Sequence, residues 1–328
     1  MTAATLAGKA LTNGLRPVNL ARDLGPIADL IELCFQKSLD DGGRSAVREM
    51  RALSRSGPLV WLLTALTRGS PAWRLGFVWL DHGGRLVGNV AVQRSGRRME
   101  WLIANVAVHP EFRRHGIAQA LTRAAMDLAR EHGARTIILQ VDADNQAAAQ
   151  LYAGLGFHRE TGRTVWTRPP GRPPEGAPSR LKLRPRAAGE WQAHYALASL
   201  ARPEGIAWNQ SMTPATFRTS PVEWLDRFLS GQREEHWLAL AVTREDFLAG
   251  ALSLLTNYRG HDQLTLLVHP DFRGQVERPL LSHGLRRLGR RPWSAQLEYR
   301  ASDAAAEAVF KDLGFVPGRT LVWMKATL

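Results

Sequence analysis

Val106-Ala-Val-His-Pro-Glu-Phe-Arg-Arg-His-Gly-Ile-Ala118 decides the fold, together with the helix it leads into. Trp101 to Val108 is an apolar, β-branched run of strand length, and His109-Pro110 ends it because proline cannot donate to a ladder. A short basic loop with one glycine follows, Arg113-Arg-His-Gly116. Ile117, Leu121, Ala125 and Leu128 then recur at helical spacing, with Gln119, Arg123, Asp127 and Arg130 between them. The segment therefore predicts strand, glycine-bearing loop, helix. The free N–H groups of such a loop and of the first helical turn point one way, and the helix dipole adds partial positive charge. That end suits an anion, above all a phosphate or pyrophosphate. Gly116 lets the backbone approach a ligand closely, and Ala118 keeps the same face open.

Downstream, Thr136 to Val141 reads as a buried strand, and Asp144-Asn145 opens a helix carrying Ala148, Leu151 and Tyr152. Leu155-Gly-Phe157 closes it. Arg113-x-x-Gly116-x-Ala118 after a valine-rich strand, then an Asn-opened helix, its Tyr and Gly-Phe, resembles the two signatures of the GCN5-related N-acetyltransferases, in family order. The resemblance covers the N-terminal half. It implies an α/β (α+β) fold, a mixed, mostly antiparallel sheet flanked by helices, with acetyl-CoA as donor and CoA as product. It assigns the pyrophosphate to backbone N–H groups of Arg113, Arg114, His115, Gly116, Ile117 and Ala118. Val106 and Val108 would meet the pantetheine arm through main-chain groups, and Asn145 joins the cofactor-binding set. Tyr152 would be the general acid near the sulfur. Some family members use a Glu on the strand before the motif as base, which points to Glu100. The residues alone leave other readings open: Asn145 as a helix cap, Tyr152 as a core aromatic, Glu100 as a strand-end side chain. His109 and His115 read as loop residues.

The chain is 328 residues long and suits two domains of about 150 residues each. Its hydrophobic content of 45% is enough for a core in both. The single cysteine, Cys34, excludes an intramolecular disulfide and sits on an apolar Ile27-Leu30-Ile31-Cys34 stripe, where packing is the expected role. No apolar run reaches the roughly 18 residues a membrane span needs, and Met1 to Gly14 shows no secretory pattern, so a cytoplasmic protein with a floppy tail over 1–14 is expected. The net charge of +13 raises nucleic acid as a partner. Against it, only five of the 43 cationic residues are lysine and the arginines are dispersed, which reads as composition bias that also suits an anionic donor. There is no metal-ligand spacing, nucleophilic triad or Walker-type loop.

Taken in order, Leu15 to Leu20 reads as a strand and Gly25 to Gln36 as a helix. A second helix spans Ser45 to Ser54 with Ser45 as cap, extendable over Leu59 to Thr67. Trp73 to Leu80 and Arg85 to Gln93 are strands joined by Asp81-His-Gly-Gly84, a hairpin signal. Domain one is 15–168, and the Pro/Gly-rich run 169–180 is a linker. In 181–328 the pattern restarts: a strand at Leu181 to Leu183, a helix over Ala187 to Leu200, another near Val222 to Leu229, and strands at His236 to Val242 and Phe247 to Leu255. Val268-His-Pro-Asp-Phe-Arg273 repeats Val108-His-Pro-Glu-Phe-Arg113, Leu313-Gly-Phe315 repeats Leu155-Gly-Phe157, and Gly318-Arg-Thr320 repeats Gly162-Arg-Thr164. Three repeats in one order indicate a duplicated domain. The second copy has Val276 for Gly116, Arg278 for Ala118, Asp303 for Asn145 and Phe310 for Tyr152. It therefore reads as a degenerate copy that keeps the fold without the signatures.

The expected function is acetyl-CoA-dependent transfer to a primary amine, small-molecule or peptide, by a monomer or homodimer active in its N-terminal domain. Its rivals are a non-catalytic acetyl-CoA or CoA sensor or scaffold, and a basic RNA- or ribosome-associated protein.

Overall fold

The computed structural model describes residues 14–36, 41–55, 75–95, 97–175, 179–202, 214–218, 231–241, 246–258, 260–301 and 303–328. The expected tail, the extension over Leu59 to Thr67 and the helix near Val222 to Leu229 lie outside these, apart from Gly14. The chain forms two compact units, 1–160 with 322–328, and 161–321. The division differs from the expected one: it falls at 160/161, before the Pro/Gly-rich run, and returns the last residues to the first unit.

The first unit opens with β1 (Leu15–Pro17) and α1 (Leu20–Phe35). The expected strand through Leu20 is shorter because Asn19 caps the helix, its side chain accepting from the Ala21 N–H at 3.2 Å. The next helix, α2, runs Asp41–Ser54, so Ser45 lies inside it rather than at its cap. Strands β2 (Leu75–Leu80), β3 (Leu86–Arg94) and β4 (Glu100–Val108) form an antiparallel meander. At the β2–β3 turn the Asp81 carboxylate accepts from the N–H groups of Gly83 and Arg85 at 2.9 and 2.8 Å. A crossover through α3 (Ile117–Glu131) leads to β5 (Thr136–Asp142), which pairs parallel to β4. The helix α4 (Gln146–Ala153) follows. The apolar stripe read from the sequence is the buried face of α3: Leu121 and Ala125 are fully buried against Val90, Ile137 and Leu139. Full burial of one such leucine contributes about 2 kcal/mol. Val322, Met324 and Ala326 of the last strand complete this core.

The second unit repeats the plan. It contains most of β6 (His158–Arg168), then β7 (Leu181–Pro185), α5 (Trp191–Ala201), the single turn α6 (Pro214–Phe217), β8 (Glu234–Ala241), β9 (Phe247–Tyr258) and β10 (His261–Val268). Next come α7 (Glu277–Leu288), β11 (Ser294–Arg300), α8 (Ala304–Asp312) and the first half of β12 (Val316–Thr327). The strands β7, β8, β9 and β10 are antiparallel neighbours, and β10 pairs parallel to β11, which pairs antiparallel to β6. Leu252, Leu280, Leu297 and Phe310 are fully buried at its centre. Both units thus carry the mixed, mostly antiparallel sheet flanked by helices that the sequence implied.

Candidate functional site

The site of the first unit starts from an irregularity in β4. Asn89 pairs with Ala107 and Ala91 with Ala104, so Asn105 and Val106 together oppose Val90. This is a β-bulge, and Asn105 takes a left-handed φ of 53° within it. Its carbonyl accepts a hydrogen bond from the buried Asn89 amide at 3.1 Å. Pairing of β4 with β5 runs from Glu100–Thr136 only to Ile103–Leu139. Past the bulge, β4 therefore has β3 on one side and, among the described residues, no paired strand on the other.

Beyond Val108 the chain makes one 3-10 turn, Pro110–Phe112, and a loop that enters α3. Arg114 has φ 65° and Gly116 has φ 77°, both left-handed, with Gly116 as the helix N-cap. A Cβ built on Gly116 meets nothing within 4 Å. The backbone is therefore uncovered on that side of Gly116, and the first helical bond of α3 runs from Ala120 to the Gly116 carbonyl. Arg113, Arg114 and His115 are exposed around it. The Arg113 guanidinium donates to the Val108 carbonyl at 3.3 Å, as does the half-buried Cys34 thiol at the same distance. Burial pushes the Cys34 thiol pKa up, against a nucleophilic role.

Tyr152 is buried in the core cluster that also contains Ile117, and against which Val106, Val108 and Phe112 pack. Its ring meets Phe157 edge to face at 5.9 Å, which is why Leu-Gly-Phe follows it: Gly156 turns at φ 88° and returns Phe157 under the tyrosine. Burial pushes the phenol pKa up to about 12, so its proton stays on at neutral pH.

Two expected residues have hydrogen-bond partners of their own. Asn145 caps α4, accepting from the Ala148 N–H at 3.1 Å, and Asp303 does the same for Ala306 in the second unit. Glu100 lies at the far end of β4, about 26 Å of strand from Val108. Its carboxylate is buried, accepts from the Ser95 hydroxyl at 2.9 Å and has the Lys325 ammonium at 4.0 Å. Its carboxylate is thus already partnered at that end of the strand. His109 stacks edge to face on Phe112 and His269 repeats this on Phe272, so both are loop supports.

The second unit lacks the same features. At the position of Arg114, Gly274 keeps the left-handed turn with φ 79°, but Val276 is helical at φ −97° and fully buried. The α7 N-terminus is filled by the chain itself: the fully buried Glu277 carboxylate accepts from the Val276 N–H at 3.2 Å. No bulge interrupts β10 from Leu264 to Val268. The asparagine pair of the bulge is what sequence reading missed; a polar residue inside the Leu86 to Val92 apolar run was its only signal.

Residues 47–157 match the family described as acetyltransferase (GNAT). The chain is similar to N-alpha-acetyltransferase RimI of Mycobacterium tuberculosis, 31% identical over 121 residues, 36% of this chain and 73% of that protein. It is also similar to N-alpha-acetyltransferase 30 of Schizosaccharomyces pombe, 38% identical over 86 residues, 25% of this chain but only 57% of that protein. A solved tandem GNAT protein from the clavulanic acid biosynthesis pathway shares the fold over 95% of this chain and 98% of its own, with 21% identity and a TM-score of 0.56. The chain belongs to the GNAT acetyltransferase family. Among the described residues no helix is long and apolar enough to cross a membrane.

Proposed function

We propose that the chain is an acetyl-CoA-dependent N-acetyltransferase whose site lies in the first unit. The carrying observation is Gly116: a left-handed N-cap with open space where a Cβ would stand, in front of a helix N-terminus. That cradle fits a pyrophosphate. The N–H groups of Gly116, Ile117 and Ala118 would hold it, with Arg113, Arg114 and His115 at the rim, and Val106 and Val108 would hold the pantetheine arm. Bound acetyl-CoA supplies the acetyl group as an activated thioester. Tyr152 keeps a proton on Oη and donates it to the departing sulfur; holding donor and amine together supplies most of the acceleration. No residue is assigned as base, since Glu100 is engaged elsewhere and bulk water reaches the open loop. The second unit, whose equivalent helix end is occupied by Glu277, is read as non-catalytic.

The acceptor is a primary amine. A peptide α-amine is favoured over a small molecule because both relatives named above are N-alpha-acetyltransferases. Calorimetric titration of acetyl-CoA tests the reading. One site per chain, abolished by Gly116→Glu, is expected. Two sites, or binding that survives Gly116→Glu, would overturn the placement.

A further inference from the structure

The bulge in β4 sets the phase of the strand. In an antiparallel pair, bonded residues alternate with residues whose N–H and C=O point away. Below the bulge, Ser95 donates to the Glu100 carbonyl, so even-numbered residues of β4 bond to β3. Above it, His109 donates to the Val87 carbonyl, so odd-numbered residues do. Had β4 run on without the extra residue, Val106 and Val108 would have spent their main-chain groups on β3. With it, those groups face the side where β5 no longer pairs; the Val108 carbonyl accepts from Cys34 and Arg113 there, which leaves the Val108 N–H and both main-chain groups of Val106 for the donor.

We propose that Asn89 is a positioning residue for the acyl donor: its side-chain amide pins the Asn105 carbonyl and so holds the strand phase that presents Val106 and Val108. The inference rests on the acetyl-CoA reading of the first unit and adds a residue to it. Asn89 is 3% exposed, and a buried amide in a strand otherwise built from Val87, Val90 and Val92 is costly unless bonded. Its bond goes to the one residue in β4 with a left-handed backbone, a conformation that asparagine tolerates but does not prefer. The second unit provides an internal contrast. The position of Asn89 is Ala251, that of Asn105 is Thr265, and the ladder there is regular. Pinning amide, bulge and open glycine occur together in one unit and are absent together from the corresponding positions of the other.

The test compares wild type, Asn89→Ala, Asn89→Asp and the double variant Asn89→Ala/Asn105→Gly. Acetyl-CoA affinity is read by calorimetry, turnover by steady-state kinetics, and exchange of the Val106 and Val108 amides by hydrogen–deuterium exchange. Loss of one buried hydrogen bond of this kind weakens binding by about tenfold. The expected result is a higher KM for acetyl-CoA in both single variants, kcat changed far less, and slowed exchange at Val106 and Val108 as they join the β3 ladder. Glycine takes a positive φ without strain, so the double variant regains affinity. Single variants that fold and bind like wild type would overturn the inference, as would a double variant that loses stability and affinity alike. If wild type itself binds no acetyl-CoA, the functional reading fails instead, and the exchange pattern still decides whether Asn89 holds the bulge.

Discussion

Glu277 accepts a hydrogen bond from the main-chain N–H of Val276 at 3.2 Å, and the Tyr299 hydroxyl donates to the same carboxylate at 3.4 Å. The anion that a helix N-terminus favours is thus supplied from within, by the first residue of α7. Glu277→Ala would leave both donors buried without a partner, at a cost of about 1–3 kcal/mol. Urea unfolding followed by tryptophan fluorescence should show that loss, while calorimetry still counts one acetyl-CoA per chain. A second site appearing in Glu277→Ala would mean that the carboxylate alone closes the second unit, with Val276 no obstacle.

Tyr152 separates catalysis from packing. Tyr152→Phe keeps the edge-to-face contact with Phe157, and Phe310 occupies the equivalent place in the second unit without difficulty. Turnover should fall about a hundredfold or more, since a positioned proton donor contributes that much, with acetyl-CoA affinity retained. The phenol also leaves an alkaline signature. Its pKa rises from 10 unfolded to about 12 folded, so its neutral form favours the fold below pH 10 and that stability drains away between pH 10 and about 12. Thermal melts across this range should fall more steeply in wild type than in Tyr152→Phe.

The strand–loop–helix of the site was legible because its physics is local: a proline ends β4, a glycine caps α3, and a 3.6-residue stripe faces the sheet. The duplication was legible because three fragments repeat in order. The bulge was not, because it depends on which residue of β3 opposes which of β4, a register set by the turn and by Asn89 across 16 positions of sequence. The partners of Glu100 were not legible for a related reason. Strand alternation gives a side chain its face, but says nothing of Lys325 arriving beside it from the other end of the chain. That residues 322–328 join the first unit is likewise a matter of which residues they meet in space, which composition does not carry.

His194 should make the second unit sensitive to acid. It is 1% exposed, its Nδ1 lies 3.0 Å from Arg186 Nη1, and the rings of Phe217 and His236 pack on it at 4.9 and 5.5 Å. Burial, then the Arg186 charge, pushes its pKa down from 6.5 to about 4. The unfolded chain therefore takes up a proton that the folded one refuses, and stability is lost as pH falls from 6.5 toward 4. Unfolding midpoints at pH 7 and 4.5 should differ less in His194→Phe than in wild type. Equal differences would assign the acid sensitivity to other groups.

Gly88 couples the core to the site. It lies on β3 opposite Val108 of β4, and a Cβ there would stand 3.0 Å from Ile117 Cγ2, Leu121 Cδ1 and Trp79 Cβ at once. Three carbon atoms on two elements cannot all yield by rotating one side chain, so α3 must shift off the sheet, at about 1–3 kcal/mol for overpacking of this kind. Ile117 is the first residue of that helix, and its displacement moves the N–H groups proposed to hold the pyrophosphate. Gly88→Ala should therefore lower the unfolding midpoint and weaken acetyl-CoA binding together. Gly133→Ala is the control: unlike Gly88 it sits at a left-handed φ, its Cβ would meet nothing within 4 Å, and it lies past the far end of α3. It should lose a comparable amount of stability through backbone strain alone, about 1 kcal/mol, with affinity unchanged. If Gly88→Ala loses stability but binds acetyl-CoA as wild type does, the helix end is positioned by its loop and not by its seat on β3.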